Sequence, residues 1–313
     1  MEIIEVSAEE YSHVIKAPYQ IFGSAAFNAL NKIKCDKVYY LLFKEGKYRL
    51  GIIGGLKNGT FHSPFSAPFN GFEYITSNLR LQYIENALKS ISQWGIDNSI
   101  KSISIILPPS FYHFSLISKQ VNCLWRDGFA ISGIDLNYSF DLYQLDKKYL
   151  ENIWYNARKN LRISFKSELT FHPCIHDKEK LLAYKIISKN RQSRGFPLRM
   201  SWKQVSDTAQ IIPADFFIIK EKYEKAIASA IVFHVAKNIV QVIYWGDLQD
   251  YSKHKTMNFL SYKLFEYYKK EGIQIVDLGP STEKSIPNYG LAEFKDSIGC
   301  HVFPKYTFTK TLD

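Results

Sequence analysis

The sequence predicts an α+β chain of two tandem domains, residues 1–142 and 143–313, each a mixed, mostly antiparallel sheet flanked by helices. Three observations predict it. The 313 residues suit two domains of roughly 100–200 residues each. Each half repeats one order of elements: helix, three strands, helix, strand, helix, strand. In both halves three strand-like runs form hairpins and a strand–helix–strand crossover follows, the pattern of a mixed sheet with helices on both faces.

In the first half a helical stretch over Ser24–Lys34 precedes strands at Lys37–Phe43, Tyr48–Gly54 and Thr60–Phe65. Glu45-Gly46 and Asn58-Gly59 mark the turns between them. Leu79, Ile84, Leu88 and Ile91 give helical spacing over Leu79–Gly95. Strand Ile103–Leu107 stops at Pro108-Pro109, and a helix from Phe111 and a strand over Ile131–Phe140 close the half. The second half opens with helices over Lys147–Phe165 and Asp177–Lys189, with Ser201 as the N-cap of a third. Strands follow at Asp215–Ile219, Ala226–Val235 and Ile239–Trp245. A long helix over Ser252–Glu271, strand Ile273–Leu278, helix Leu291–Ser297 and strand Val302–Phe308 complete the chain.

Composition narrows the function. With 46% hydrophobic and 22% charged residues the chain is globular rather than disordered. No apolar run reaches the roughly 18–20 residues of a membrane span. The start, Met1-Glu2-Ile3-Ile4-Glu5, is acidic where a signal peptide would be basic, so the expected location is cytoplasmic. Cys35, Cys123, Cys174 and Cys300 are scattered, without the close pairs a zinc site needs, and no metal is expected. His172 and His176 straddle Pro173, which argues against a helical metal pair. There is no GxSxG, HExxH, GxxxxGK[ST] or GxGxxG.

The formal net charge is +10, and its distribution is uneven. Residues 1–142 hold 13 basic and 12 acidic side chains, whereas Lys147–Arg199 alone holds 13 and 4. Such a local excess is either a solvated helix face or a field that recruits phosphate-bearing partners: a nucleotide, a coenzyme, RNA or an anionic membrane surface. Arg191, Arg194 and Arg199 are its candidate substrate contacts.

Four segments could carry chemistry. Tyr244-Trp245-Gly246-Asp247 ends a strand just before the long helix, where Gly permits close backbone approach. Lys253 and Lys255, with His254, sit at that helix start and oppose its dipole, which suits an anionic ligand there; otherwise this is a turn with exposed charges. Asp277-Leu278-Gly279-Pro280-Ser281-Thr282-Glu283 leaves a buried strand at its carboxyl end, where binding residues gather. Asp277 is expensive to bury alone, so it either bonds a partner or caps the turn. The third runs from Ile286 through Asn288 and Tyr289 to Phe294-Lys295, with Lys295 a surface residue or a cation at a crevice. The fourth, Ser63–Phe72, with two prolines and three phenylalanines, either lines a pocket between the halves or plugs the first domain.

Together these runs resemble the FemAB-like branch of the GNAT acyltransferases. The resemblance lies in Tyr244–Asp247, Asp277–Glu283 and Asn-x-Gly-Leu-x-x-Phe-Lys-x-x-x-Gly from Asn288 to Gly299, and it covers most of the chain. Segments Ser63–Phe72 and Asn156–Arg162 also fit. It implies tandem GNAT folds and transfer of an acyl or aminoacyl group, from acyl-CoA or aminoacyl-tRNA, to an amine or hydroxyl of a cell-envelope or polysaccharide precursor. The partners implied are a phosphate-bearing donor, tRNA among the candidates, a nucleotide- or lipid-linked acceptor, and peripheral contact with an anionic membrane. The sequence departs from the GNAT pattern in one place: Asp247–Lys255 contains no glycine past Gly246, where a glycine-rich pyrophosphate loop is expected, so any phosphate would fall to Lys253 and Lys255 as point charges.

Such a transfer needs proton removal from the acceptor, oxyanion stabilisation and protonation of the leaving group. The catalytic assignments are Asp247 as base, Tyr244 as proton donor and Lys295 as electrostatic partner of substrate phosphate or carboxylate. Asp277, Ser281, Glu283, Asn288 and Tyr289 join the three arginines and Lys253 and Lys255 as substrate-binding candidates. Two other classes fit the composition: a non-catalytic basic module binding RNA or nucleotides, and a degenerate partner in a polysaccharide assembly complex.

Overall fold

The computed structural model describes residues 1–76 and 79–312. Its contacts divide the chain into two units: Met1–Leu136 with Lys284–Ile286 and the residues from Phe303 onward, and Asn137–Glu283 with Pro287–Val302.

The first unit holds β1 (Glu2–Val6), α1 (Ala8–Val14), α2 (Ala25–Leu30), β2 (Lys37–Glu45), β3 (Lys47–Lys57), β4 (Thr60–Ser63), β5 (Glu73–Tyr74), α3 (Leu81–Asp97), β6 (Ser102–Ile106), α4 (Phe114–Arg126) and the start of β7 (Ala130–Asp141). Ile84, Leu88 and Ile91 of α3 and Leu116 and Leu124 of α4 close over Leu41, Phe43, Ile52, Phe61, Ile103 and Ile105 of the strands, all buried. The Ser63–Phe72 segment is a plug: Phe69 packs edge-on against Phe22 and Phe72 against Phe43, both fully buried.

The second unit continues with the end of β7, then α5 (Tyr149–Asn152), α6 (Tyr155–Phe165), β8 (Thr170–Pro173), α7 (Asp177–Ser193), α8 (Trp202–Ala209), β9 (Ala214–Lys220), β10 (Ala226–Ala236), β11 (Ile239–Asp247), α9 (Thr256–Lys270), β12 (Ile275–Pro280), the two-residue strand β13 (Thr282–Glu283) and α10 (Tyr289–Ser297), while β14 (Ile286–Pro287) has one residue in each unit. Ser201 caps α8 as expected, its hydroxyl accepting from Gln204 N–H. The helix expected over Lys147–Phe165 is two, broken at Ile153–Trp154, where Trp154 N–H bonds Ser297 O at 3.1 Å instead of continuing a helical ladder. Leu260, Leu264, Phe265 and Tyr268 of α9 and Leu161 of α6 pack on Val232, Val240, Val242 and Val276 to form this unit's core.

The last strand, β15 (His301–Thr311), pairs antiparallel with β6, from Thr307↔Ile106 to Thr311↔Ser102, and so falls with the first unit rather than the second. Hydrogen bonds link the strands in a single order, β1-β2-β3-β4-β6-β15-β7-β12-β11-β10-β9-β8, with β5 on β3. Among the described residues, the two separate sheets that tandem domains imply are therefore one sheet of 13 strands, with β7 divided between the units at Leu136 and Asn137. No helix among the described residues is long and apolar enough to cross a membrane.

Candidate functional site

The second unit contains a fork. β11 and β12 pair in parallel at three positions only, Ile239↔Ile275, Val240↔Val276 and Gln241↔Asp277. Past Asp277 β12 instead follows β7, and past Gln241 β11 follows β10 out to Asp247↔Ala228. An irregularity in each strand sets the divergence: β11 carries an extra residue at Ile243 and β12 one at Leu278. Val240 and Val242 point into the core under α9, so Gln241 faces the opposite side of the sheet. The extra residue keeps Tyr244 and Gly246 on that side, where α7 lies. There Asn190 Nδ2 donates to Asp247 O at 2.7 Å, and a Cβ on Gly246 would sit 2.6 Å from Asn190 Oδ1.

Lys295 reaches the fork from α10. Its side chain is 1% exposed, and Nζ donates to Gly279 O at 2.8 Å and Pro280 O at 3.1 Å, with the Tyr138 ring 5.3 Å away. Gly279 has φ +71°, a left-handed conformation that costs glycine little. Burial pulls the Lys295 ammonium down to about 8; the positive charge of Arg191 adds to this, while Asp277 and Cys300 oppose it. The ordinary value of 10.5 falling to about 8 represents about 3 kcal/mol of cost to the charged form.

Asp277 is fully buried at the fork's base. Oδ1 accepts from Asn137 Nδ2 at 2.7 Å and Gly279 N–H at 2.8 Å, and Oδ2 accepts from Gln241 Nε2 at 2.7 Å. Of its two sequence readings the structure takes both, a partnered buried carboxylate and a turn cap. On the α7 side burial raises the Tyr244 phenol, and a hydrogen bond to the Met200 backbone and the charge of Arg191 pull it back. Burial also lowers the half-buried Arg191 guanidinium. Asp247, 7% exposed, is raised by burial and partly returned by Arg194, whose Nη2 lies 3.6 Å from Oδ1.

Several buried polar atoms of this unit have no hydrogen-bond partner: Asn137 Oδ1, Arg191 Nε, Gln241 Oε1, Asp247 Oδ1 and Ser281 Oγ. Native proteins leave few such atoms; these five lie on β7, α7, β11 and just past the end of β12, and four others, Tyr11 Oη, Tyr19 Oη, Gln20 Oε1 and Ser92 Oγ, lie in the first unit.

Of the residues selected from sequence, Tyr244, Asp247, Asp277, Ser281, Lys295, Arg191 and Arg194 lie on the fork's strand ends and the helices beside them. Arg199 and Glu283 are both exposed and ion-paired to each other. Lys253 is exposed in a 3-10 turn, and half-buried Lys255 is the left-handed N-cap of α9, φ 53°. Asn288 Oδ1 is taken up as the cap of α10, accepting from Leu291 N–H at 3.1 Å, and Tyr289 is 74% exposed on that helix's first turn. Sequence reasoning missed Asn137, Gln241 and Asn190. Gln241 had a visible signal, one amide in the apolar run Ile239-Val240-Gln241-Val242-Ile243.

No family model matches the sequence, and no curated protein matches it. Solved structures do. The structure of FemX superimposes with TM-score 0.72 at 12% identity, over 100% of this chain and 98% of that one. The fold is FemAB-like and GNAT-related. The L-PGS of Bacillus licheniformis gives 0.60 at 12% identity, over 96% and 91%, and a tandem GNAT protein of the clavulanic acid biosynthesis pathway gives 0.57 at 8%, over 100% and 98%. The similarity spans the chain from end to end, at identities that speak for the fold alone.

Proposed function

We propose that this chain transfers an acyl or aminoacyl group from acyl-CoA or aminoacyl-tRNA to an amine or hydroxyl of a cell-envelope or polysaccharide precursor, with two tandem GNAT-like folds and the chemistry in the second. The observation that carries the reading is a buried ammonium at a strand fork. Lys295 has three N–H donors, uses two on backbone carbonyls, and bears a burial cost that an anion or developing oxyanion at the fork would offset. Names of the neighbours add support, since FemX, L-PGS and GNAT proteins share the fold.

In this reading Lys295 stabilises the negative charge on the donor's carbonyl oxygen or phosphate as the tetrahedral intermediate forms. Asp247, raised by burial and with an Oδ1 that meets Arg194 only as an ion pair at 3.6 Å and accepts no hydrogen bond, accepts the acceptor's proton. Tyr244, kept protonated by burial, returns a proton to the leaving group. Arg191 presents an unused Nε to the donor's phosphate or carboxylate.

A second reading has its own observation. Arg158, Lys159, Arg162 and Lys166 line one face of α6, beside exposed Trp154 and Tyr155, a surface suited to RNA without catalysis. A thermal-shift titration with acetyl-CoA, free CoA, ATP, uncharged tRNA and charged tRNA separates the two. Ligand at 100 times its Kd stabilises by about 2.7 kcal/mol, a shift of several degrees. Stabilisation by an acylated donor above its unacylated form supports the transferase; equal response to charged and uncharged tRNA, weakening steeply with salt, supports the RNA module.

A further inference from the structure

A cluster of cations in the second unit includes none of the residues assigned to the transfer. Tyr155, Arg158, Lys159, Arg162, Ile163 and Lys166 line a cavity of about 170 Å³ along α6 and its C-cap, and their spacing of three and four residues puts them in one stripe. The helix contains no acid, so Arg158 faces Arg162 and Arg162 faces Lys166 as like charges four residues apart, an arrangement that weakens a helix. A second cavity, of about 480 Å³, has Lys147, Lys269 and Lys270 exposed at its rim, with half-buried Leu145, Leu150 and Tyr262 packed on the core beneath. Arg158 joins the two cavities, donating from Nη1 to Leu150 O at 3.3 Å.

Both acids of the second cavity are occupied. Glu266 pairs with Lys263 at 2.7 Å, and Asp146 Oδ1 accepts from Lys148 N–H at 2.8 Å. Among the described residues, none of the seven cations lining the two cavities pairs with a carboxylate. Trp154, Tyr155 and Phe165 stand among them, each 45% exposed or more.

We infer that this face, built from α5, α6 and the C-terminal end of α9, docks on the surface of an anionic lipid bilayer. The inference is independent of the transferase reading. Seven cations without carboxylate partners complement a layer of phosphate headgroups. The apolar side chains beneath and between them favour lipid over RNA. A ribose–phosphate chain could stack its bases on Trp154 and Tyr155 but has no aliphatic group to set on Leu145, Leu150 and Ile163. In a bilayer the glycerol and first methylenes meet those side chains while the phosphates meet the rim, and Trp and Tyr rings settle at that depth. The inward stripe of α6, Ala157 and Leu161, is already buried in the core, so the helix rests on the bilayer by its outer face and does not enter it.

The test is co-sedimentation of the full chain with vesicles of phosphatidylcholine alone and of equal parts phosphatidylcholine and phosphatidylserine, beside filter binding of uncharged tRNA. The wild type should bind the anionic vesicles at least about 100-fold more tightly than the neutral ones and lose that preference at high salt. Each cation near an anionic bilayer is worth about fivefold in affinity, so Lys159→Gln, Arg162→Gln and Lys166→Gln together should weaken binding by about 100-fold. Lys178→Gln, Lys185→Gln and Lys189→Gln remove the same charge from α7, across the sheet, and should leave binding nearly unchanged. All six side chains are exposed, so neither triple variant threatens folding. Inorganic phosphate matched to the lipid phosphate should not release the protein. Equal binding to neutral and anionic vesicles, binding to neither, equal losses in the two triple variants, or release by inorganic phosphate would overturn the inference. Tighter binding of tRNA than of anionic vesicles, lost in the α6 variant, would assign the face to RNA and overturn it too.

Discussion

Replacing Lys295 by Met tests the site through stability before any substrate is known. In the folded chain the ammonium loses its proton near 8, against 10.5 when unfolded. Below pH 8 both states hold the proton and this group adds no pH dependence. Between about 8 and 10.5 the unfolded chain binds more protons than the native one, so this group makes stability rise with pH. The rise is about 3 kcal/mol in all, from the fall of 10.5 to about 8. Met cannot titrate, so Lys295→Met should lack it. Buried tyrosines such as Tyr244, raised above their ordinary 10, act oppositely at the top of the window. They act in both proteins, and the difference between wild type and variant isolates Lys295. Urea unfolding of both at intervals from pH 7.5 to 10.5 gives that difference directly. Near pH 7.5 the variant gains from the removed charge and loses where Gly279 O and Pro280 O go unbonded, so the two should be close in stability. Parallel curves over the whole range would show that Lys295 titrates normally and would refute the buried-ammonium reasoning.

Two further outcomes follow from burial and packing. Glu73, in the first unit, is 1% exposed and pushed by burial from 4.5 to about 8, its oxygens accepting from Tyr19 N–H and Gln20 Nε2. Its folded value is the higher one, so its contribution to stability is full below pH 4.5 and falls by up to about 5 kcal/mol as pH rises through 8. Glu73→Gln, which cannot ionise, should show a flatter pH–stability curve over that window; an unchanged curve contradicts the assignment. Gly246→Ala puts a Cβ 2.6 Å from Asn190 Oδ1 and should cost about 1–3 kcal/mol, with Asn190→Ala recovering part of it. Additive losses in the double variant would remove the contact from the account.

What the sequence showed and what it hid divide along physical lines. Helices such as α3 and strands such as β2 and β3 were legible because burial of one face imposes a period on the residues themselves. Tyr244 and Asp247 were legible as polar groups at the end of an expected strand, and Lys295 as a cation on the short helix near the end of the chain. The capping box of α1, Ser7 with Glu10, was present and unread, because a seven-residue helix shows too few turns to display a period. The start of α9 was placed four residues early, since 249–254 winds as a 3-10 turn and Lys255 turns left-handed before the helix proper. The deepest omission was Asn137 and Gln241. Each reads as an ordinary strand polar residue, and only the parallel register that sets Gln241 beside Asp277, with Asn137 brought in from β7, makes them a unit. Tertiary pairing of that kind leaves no local pattern.

The central claim is that the fork performs acyl transfer and that the charge of Lys295 serves it. The most direct measurement is transfer from radiolabelled acetyl-CoA and from radiolabelled aminoacyl-tRNA by wild type, Lys295→Met and Lys295→Arg. The account predicts activity with one donor in the wild type, declining as pH rises through about 8 where the ammonium is lost. It predicts a loss of about 100-fold or more in Lys295→Met, and in Lys295→Arg, which stays charged, whatever activity remains should not decline through pH 8. Full activity in Lys295→Met, or activity that rises through pH 8, would contradict it.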